Sequence, residues 1–308
     1  MPQVTFPDFA VSFGTTVNDF SQDCRRIIFE KDFRYEILEG EERDKVILDV
    51  LKKIEADKQV IGSEERKEEW FRGWAENLEE FIQRGLDFDA LVPKFIRDDQ
   101  IVRYNGNYIR PSNPKFELDF ITVFRTWLFQ KYLEQYDAIY EFGCGTGFNL
   151  VLISHLFPRK KLHGLDFVRS SVDLVNKISE FSDLNIQGHL FDMITPDEKF
   201  GLSKNSAVLT FGAVEQLAGR FEEFLEYLLR QRPKLCIHVE PTVELYDENK
   251  LFDYLAMKFH RKRGYTEKFL PRLQELESQG KVKIHKIKRL FFGSLFMEGY
   301  MYFVWEPL

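Results

Sequence analysis

The chain has little cysteine, no surplus of positive charge and no long apolar run, and each lack narrows what it does. Its 308 residues hold three cysteines, Cys24, Cys144 and Cys236, odd in number and far apart. That argues against a disulfide framework or a cysteine zinc site and fits a reducing compartment. Lysine and arginine total 43 against 50 aspartate and glutamate, a net charge of −7. With no block of like charge either, nucleic acid is not an expected partner. No run of about 18 apolar residues is present to cross a membrane, and residues 1–16 show no basic segment followed by an apolar core. The protein reads as cytoplasmic, without a membrane partner. The six histidines and the carboxylates show no ligand spacing, so no metal is expected.

What is present suffices for a sizeable core, at 44% hydrophobic and 15% aromatic. Ile47, Val50, Leu51 and Ile54 fall at helical spacing, and after Gly62-Ser63 a second stripe runs through Trp70, Trp74, Leu78 and Phe81. Residues 1–98 are therefore expected to form an N-terminal helical domain. Residues 99–135 read as a connection: a loop or hairpin around Asn105-Gly106-Asn107, then a long aromatic helix over 116–133, with Asn113 as N-cap and Pro114 at its first position.

Over 136–308 strand and helix patterns alternate. Strands are expected at 138–142, 161–165, 185–190, 207–211 and 235–239, with Ser170 capping the helix after the second and Pro233 stopping the helix before the fifth. Runs at 282–292 and 299–305 read as a terminal antiparallel hairpin. The sum is an α/β fold, a Rossmann-like doubly wound sheet of seven mostly parallel strands, plus the N-terminal helical domain.

The most informative stretch is Glu141-Phe142-Gly143-Cys144-Gly145-Thr146-Gly147, between the first of these strands and a helix. Glycines at alternate positions tolerate positive φ and let the backbone approach a ligand at the electropositive helix start. The dinucleotide pattern G-x-G-x-x-G/A, begun at Gly145, meets Leu150 at its last place and fails there.

The sequence E-x-G-x-G-x-G instead resembles the first motif of the class I S-adenosylmethionine-dependent methyltransferases, and the resemblance covers 136–308. It implies that Glu141, Gly143, Cys144, Gly145 and Gly147 cradle the methionine part of the cofactor. Asp166, at the end of the second strand, stands where the family binds the ribose hydroxyls, and a carboxylate suits a vicinal diol because it accepts two hydrogen bonds. Asp192 matches the position that approaches the adenine amino group, with Phe167 and Met193 flanking the ring. Phe211 begins the segment after the fourth strand, where Glu215 is a cofactor-side or substrate-side contact and Gln216 replaces a histidine common in small-molecule enzymes. Arg110, in the loop before the long helix, is a candidate partner of the methionine carboxylate.

For a hydroxyl acceptor a base is useful. Glu240 and His238 on the fifth strand and His260 beyond it are the candidates. Arg261 and Arg263 in a basic cluster, and Tyr108 in the aromatic loop, are candidates for holding an anionic or polar acceptor. More distantly, 70–78, 238–247 and 292–300 are similar to a bacterial subgroup of sugar and surface-polysaccharide methyltransferases, which favours a sugar-type hydroxyl. The expected activity is methyl transfer to a small polar molecule. The alternatives are a protein methyltransferase, a nicotinamide-dependent oxidoreductase and a cofactor-binding module without catalysis.

Overall fold

The computed structural model describes residues 1–62 and 64–308, those at 64–67 by backbone alone; Ser63, half of the expected Gly62-Ser63 break, lies outside the described residues. The first part of the chain forms α1 (Phe6–Phe13), α2 (Gln22–Glu30), β1 (Tyr35–Ile37), α3 (Gly40–Ala56), α4 (Glu64–Gln83), β2 (Val102–Tyr104), β3 (Asn107–Pro111) and α5 (Phe116–Leu133). The alternating part runs β4 (Ala138–Phe142), α6 (Phe148–Leu156), β5 (Lys161–Asp166), α7 (Arg169–Phe181), β6 (Ile186–Leu190), β7 (Ser206–Phe211), α8 (Glu222–Gln231) and β8 (Leu235–Val239). It closes with α9 (Leu251–Arg263), α10 (Phe269–Ser278), β9 (Val282–Lys288), β10 (Phe292–Gly293) and β11 (Tyr302–Pro307).

The large sheet has seven strands in the order β6-β5-β4-β7-β8-β11-β9. The five strands from β4 to β8 are parallel, and β11 runs antiparallel between β8 and β9. This is the expected Rossmann-like doubly wound sheet with its terminal antiparallel pair. The chain reverses direction of travel across the sheet between β4 and β7, the switch point at which open α/β sheets leave a crevice beyond their strand ends.

Both faces are covered because the strands are apolar on both sides. One face buries Ile139, Leu209, Ile237, Tyr302 and Val304 in a cluster that extends to Phe9, Phe13, Phe33, Phe120, Phe124 and Trp127 of the first part of the chain. The other buries Tyr140, Phe142, Val208, Phe303 and Trp305 against Phe224, Leu228, Phe269 and Leu273 of α8 and α10. Residues 1–98 thus share a core with the sheet. A smaller sheet, β1-β3-β2-β10, pairs Tyr35–Ile37 and Phe292–Gly293 with the expected hairpin at 102–111. Neither pairing has a local signal, since each joins segments remote in sequence.

Two caps differ from expectation. The long helix starts at Phe116 with Lys115 as N-cap; Asn113 Oδ1 instead accepts from the Lys115 N–H at 3.0 Å, turning the chain one step earlier. The N-cap of α7 is Val168, because Ser170 Oγ is spent on the carbonyl of Phe71 at 3.0 Å.

Candidate functional site

The glycine turn folds back on the neighbouring strand. The N–H groups of Gly143 and Cys144 both donate to the Leu165 carbonyl, at 2.7 and 3.1 Å. Gly143, Gly145 and Gly147 all have positive φ, which side chains resist. At Gly143 the lack of a side chain is also a matter of space: a Cβ there would lie 2.4 Å from that of Ala213, so the loop after β7 could not close against the turn. Asp166 ties the turn to the start of α7, accepting from the Gly145 N–H at 3.0 Å and the Val168 N–H at 2.9 Å. Burial raises its pKa to about 6 against these hydrogen bonds. Two backbone donors leave lone pairs on this carboxylate for a further donor.

Beyond the strand ends lies a cavity of about 310 Å³. Each strand of the switch region contributes: Gly143 after β4, Asp166 at the end of β5 and Phe167 after it, Asp192, Met193 and Thr195 after β6, and Gly212, Ala213, Gln216 and Leu217 after β7. Gly62, Trp70 and Trp74 of the N-terminal segment close it. The two indoles are stacked with centroids 5.2 Å apart. Trp74 sits over the turn, for a Cβ on Gly145 would lie 3.2 Å from its Cζ2. The segment is pinned there by the Ser170 bond to Phe71 and by Thr146 Oγ1 donating to the Leu91 carbonyl at 2.6 Å.

Of the predicted cofactor residues, the structure brings Gly143, Asp166, Phe167, Asp192 and Met193 to the cavity wall. Asp192 is shaped by accepting from the Ile194 N–H at 2.8 Å. Glu141, Cys144, Gly145 and Gly147 form the turn behind it. Glu141 is buried, accepts from Asn149 Nδ2 at 2.6 Å, and has its pKa pushed to about 8 by burial. The Cys144 thiol is buried beside Ser171 and burial drives its pKa well up, which makes it an inert packing group. Phe211 points to the α5 side of the sheet and packs on Tyr300, its ring 6.0 Å away.

Several candidates are placed elsewhere. Arg110 is exposed on β3, opposite Glu36, and its guanidinium pairs with Glu36 and Glu42. It is held in the small sheet and does not reach the cavity. Arg263 is a strut, its Nε 2.7 Å from Asp57 and its guanidinium over Phe259. Arg261 is exposed beside Glu267, and Tyr108 is buried against Phe252. Neither lines the cavity. Glu215 does neighbour it, with Oε1 accepting from Gln216 Nε2 at 2.7 Å.

The three candidate bases are buried as well, and none of them lines the cavity. Glu240 is buried, and its carboxylate accepts from Thr210 Oγ1 at 2.7 Å and from the N–H groups of Ala213, Val214 and Glu215. It anchors the loop after β7. Thr210 has one hydroxyl proton, given to Glu240, so the proton between it and His238 Nδ1, 2.8 Å away, belongs to the imidazole. His238 is otherwise packed among Phe269, Phe303 and Trp305, and burial depresses its pKa to about 3. His260 is buried with Nε2 donating to the Thr266 carbonyl at 3.1 Å, its pKa lowered to about 4 by burial.

Sequence reasoning missed Gln216 and Arg220 as lining residues and took Trp70 and Trp74 for a packing stripe. It also missed a polar network on the α5 side. Arg125 is buried, donates from Nε to Asn149 Oδ1 at 2.7 Å and from Nη2 to the Phe148 carbonyl, and so braces the helix that follows the glycine turn. Its signal was a cation in the middle of a helix rich in aromatic and aliphatic residues. Glu117, also buried, accepts from Tyr300 Oη at 2.9 Å.

No protein-family model and no curated protein matches the chain. Solved structures do resemble it. Geranyl diphosphate C-methyltransferase from Streptomyces coelicolor A3(2) is 12% identical over 64% of this chain and 86% of its own, with a TM-score of 0.45. Human N-acetylserotonin methyltransferase is 14% identical over 62% and 56%, with a TM-score of 0.42. An O-methyltransferase of neocarzinostatin biosynthesis is 12% identical over 64% and 59%, with a TM-score of 0.41. At these identities the likeness concerns the chain path alone.

Proposed function

We propose that the protein is an S-adenosylmethionine-dependent methyltransferase that methylates a sugar-type hydroxyl on a small polar acceptor in the cytoplasm. The observation that carries this reading is the meeting of the glycine turn, the Asp166 carboxylate and the Asp192-Met193 pair on one cavity at the switch point. The cofactor supplies an electrophilic methyl group. Asp166 keeps acceptor capacity for a ribose diol, and Phe167 and Met193 offer apolar surface to a purine. Trp70 and Trp74 restrict the cavity on the side of residues 1–98, which favours a small acceptor over a protein chain.

Positioning is then the main contribution of the protein, since a well-oriented displacement gains on the order of 7–11 kcal/mol from lost translational and rotational freedom. Glu240, His238 and His260 are withdrawn as bases, because each is buried and none lines the cavity. The sugar-type acceptor rests on the weaker sequence resemblance.

The test is calorimetric titration with S-adenosylmethionine, S-adenosylhomocysteine and NAD, followed by labelled methyl transfer into nucleotide sugars, peptides and phenols. Binding of the first two ligands and label in the nucleotide sugars are the expected outcomes. Tight NAD binding with no response to the others would end the reading, and label in peptides alone would replace the acceptor.

A further inference from the structure

Among the described residues that line the cavity, Arg220 is the one cation, beside two acids, Asp166 and Asp192. It stands where the loop after β7 turns back before α8. Ala218 and Gly219 both take positive φ there, and the Arg220 N–H closes the turn on the Leu217 carbonyl at 3.0 Å. Gly219 is fixed by Thr266 Oγ1, which accepts from its N–H at 3.1 Å. The Arg220 side chain folds back over the turn, Nε donating to the same Leu217 carbonyl at 3.4 Å, and Nη2 reaches the N-terminal segment, where a Cβ on Gly62 would lie 3.2 Å from it. What the guanidinium lacks is an acid. No ion pair holds Arg220 among the described residues, whereas Arg263 is taken by Asp57, and Arg272 by Glu222, the acid two positions on from Arg220. An arginine fork without a carboxylate keeps paired N–H donors for a planar or tetrahedral anion.

We propose that Arg220 is the subsite for an anionic group, a phosphate or a carboxylate, carried by the methyl acceptor. This rests on the S-adenosylmethionine reading, which gives the methionine part of the cofactor to the glycine turn after β4 and leaves the loop after β7 to the acceptor. Asp166 and Asp192 repel a negative charge from the ends of β5 and β6, so Arg220 is the place on the cavity wall that receives one. A ligand with one charged end is then held in one orientation. The acceptor class narrows accordingly from a polar sugar to a charged one, such as a nucleotide sugar or a uronic acid.

The experiment is calorimetry on the full chain saturated with S-adenosylhomocysteine and titrated, at constant ionic strength, with UDP-glucose, glucuronate and glucose. Wild type is expected to bind at least one of the two anions about tenfold more tightly than glucose. Tighter binding of UDP-glucose names the phosphate as the group, and tighter binding of glucuronate the carboxylate. Arg220→Gln should remove the preference, and Arg220→Lys, which keeps the charge but not the fork, should keep only part of it. Equal binding of all three probes by wild type overturns the proposal, as does an unchanged preference in Arg220→Gln; the wild-type comparison decides even if a variant does not fold. Weaker binding of S-adenosylhomocysteine by Arg220→Gln, with methylthioadenosine, which lacks the amino acid half, bound as before, would put the cofactor's own carboxylate on Arg220 and overturn the acceptor subsite. Failure of wild type to bind S-adenosylhomocysteine instead removes the cofactor reading, and the subsite with it.

Discussion

Two strand-end carboxylates do opposite things here according to what surrounds them. Asp166 and Glu240 both end strands and both accept backbone N–H groups, yet Asp166 faces the cavity while Glu240 is enclosed by Thr210 and the loop it anchors. His260 is enclosed likewise by the Thr266 carbonyl. Asp166→Ala should therefore weaken S-adenosylhomocysteine binding at least tenfold, about 1.4 kcal/mol. His260→Ala should lower the melting temperature but change affinity by no more than about twofold, since that site makes no cavity contact and its loss is one of packing and hydrogen bonding. Equal effects on binding by calorimetry would remove Asp166 from the cofactor site. The carboxylate at 166 was legible in the sequence because it sits one step past a strand next to a glycine turn. The misreadings at 238, 240 and 260 came from the same logic, since a strand-end position does not say whether the side chain meets a cavity or a neighbour.

At the scale of elements, α4 decides how the cavity is closed. Its Trp70 and Trp74 stripe is that of an amphipathic helix, and part of the stripe does pack: Leu78 and Phe81 join the main core. The tryptophans lie further along the same face, where the helix passes over the glycine turn, and they meet Gly145 and the cavity. A ligand extending over Gly145 must displace Trp74 or stack on it. Addition of S-adenosylmethionine or S-adenosylhomocysteine should thus change tryptophan emission, and Trp74→Ala should remove most of the change. An unaltered response in that variant would place the ligand away from α4. Helical spacing alone told that this face was buried, while what buried it depended on where α4 docks on α7.

Taken as a whole, the molecule buries acids and bases whose protonation states disagree with the solvent. Burial raises the pKa of Asp166 to about 6, Glu117 and Glu240 to about 7, and Glu141 to about 8. A raised folded-state pKa gives stability that is present below the unfolded value and is lost as pH climbs through the folded value. Four histidines act in reverse, His238 lowered to about 3, His163 and His260 to about 4, and His189 lowered as well, all by burial first, so their contribution is lost as pH falls below the unfolded histidine range. Between pH 5 and 6.5 the two trends offset each other; above 6.5 only the carboxyls still titrate. The ligand-free protein should have a nearly flat melting temperature from pH 5 to 6.5 and a clear fall by pH 8.5, measurable by calorimetric scanning. A melting temperature that rises across that upper interval would contradict these assignments.

By itself, the sequence determined what short-range periodicity and backbone chemistry can carry. The glycine turn, the succession of β4 to β8, the aromatic α5 and the antiparallel end of the sheet are all written in neighbouring residues. Tertiary structure alone decided which ionisable groups meet. Arg110 with Glu36, Arg263 with Asp57, and Glu117 with Tyr300 join segments separated by dozens to hundreds of residues. The reason is physical: a charged side chain obeys the same local rules whether its partner is water, a ligand or a distant carboxylate, and only the packed fold selects among them.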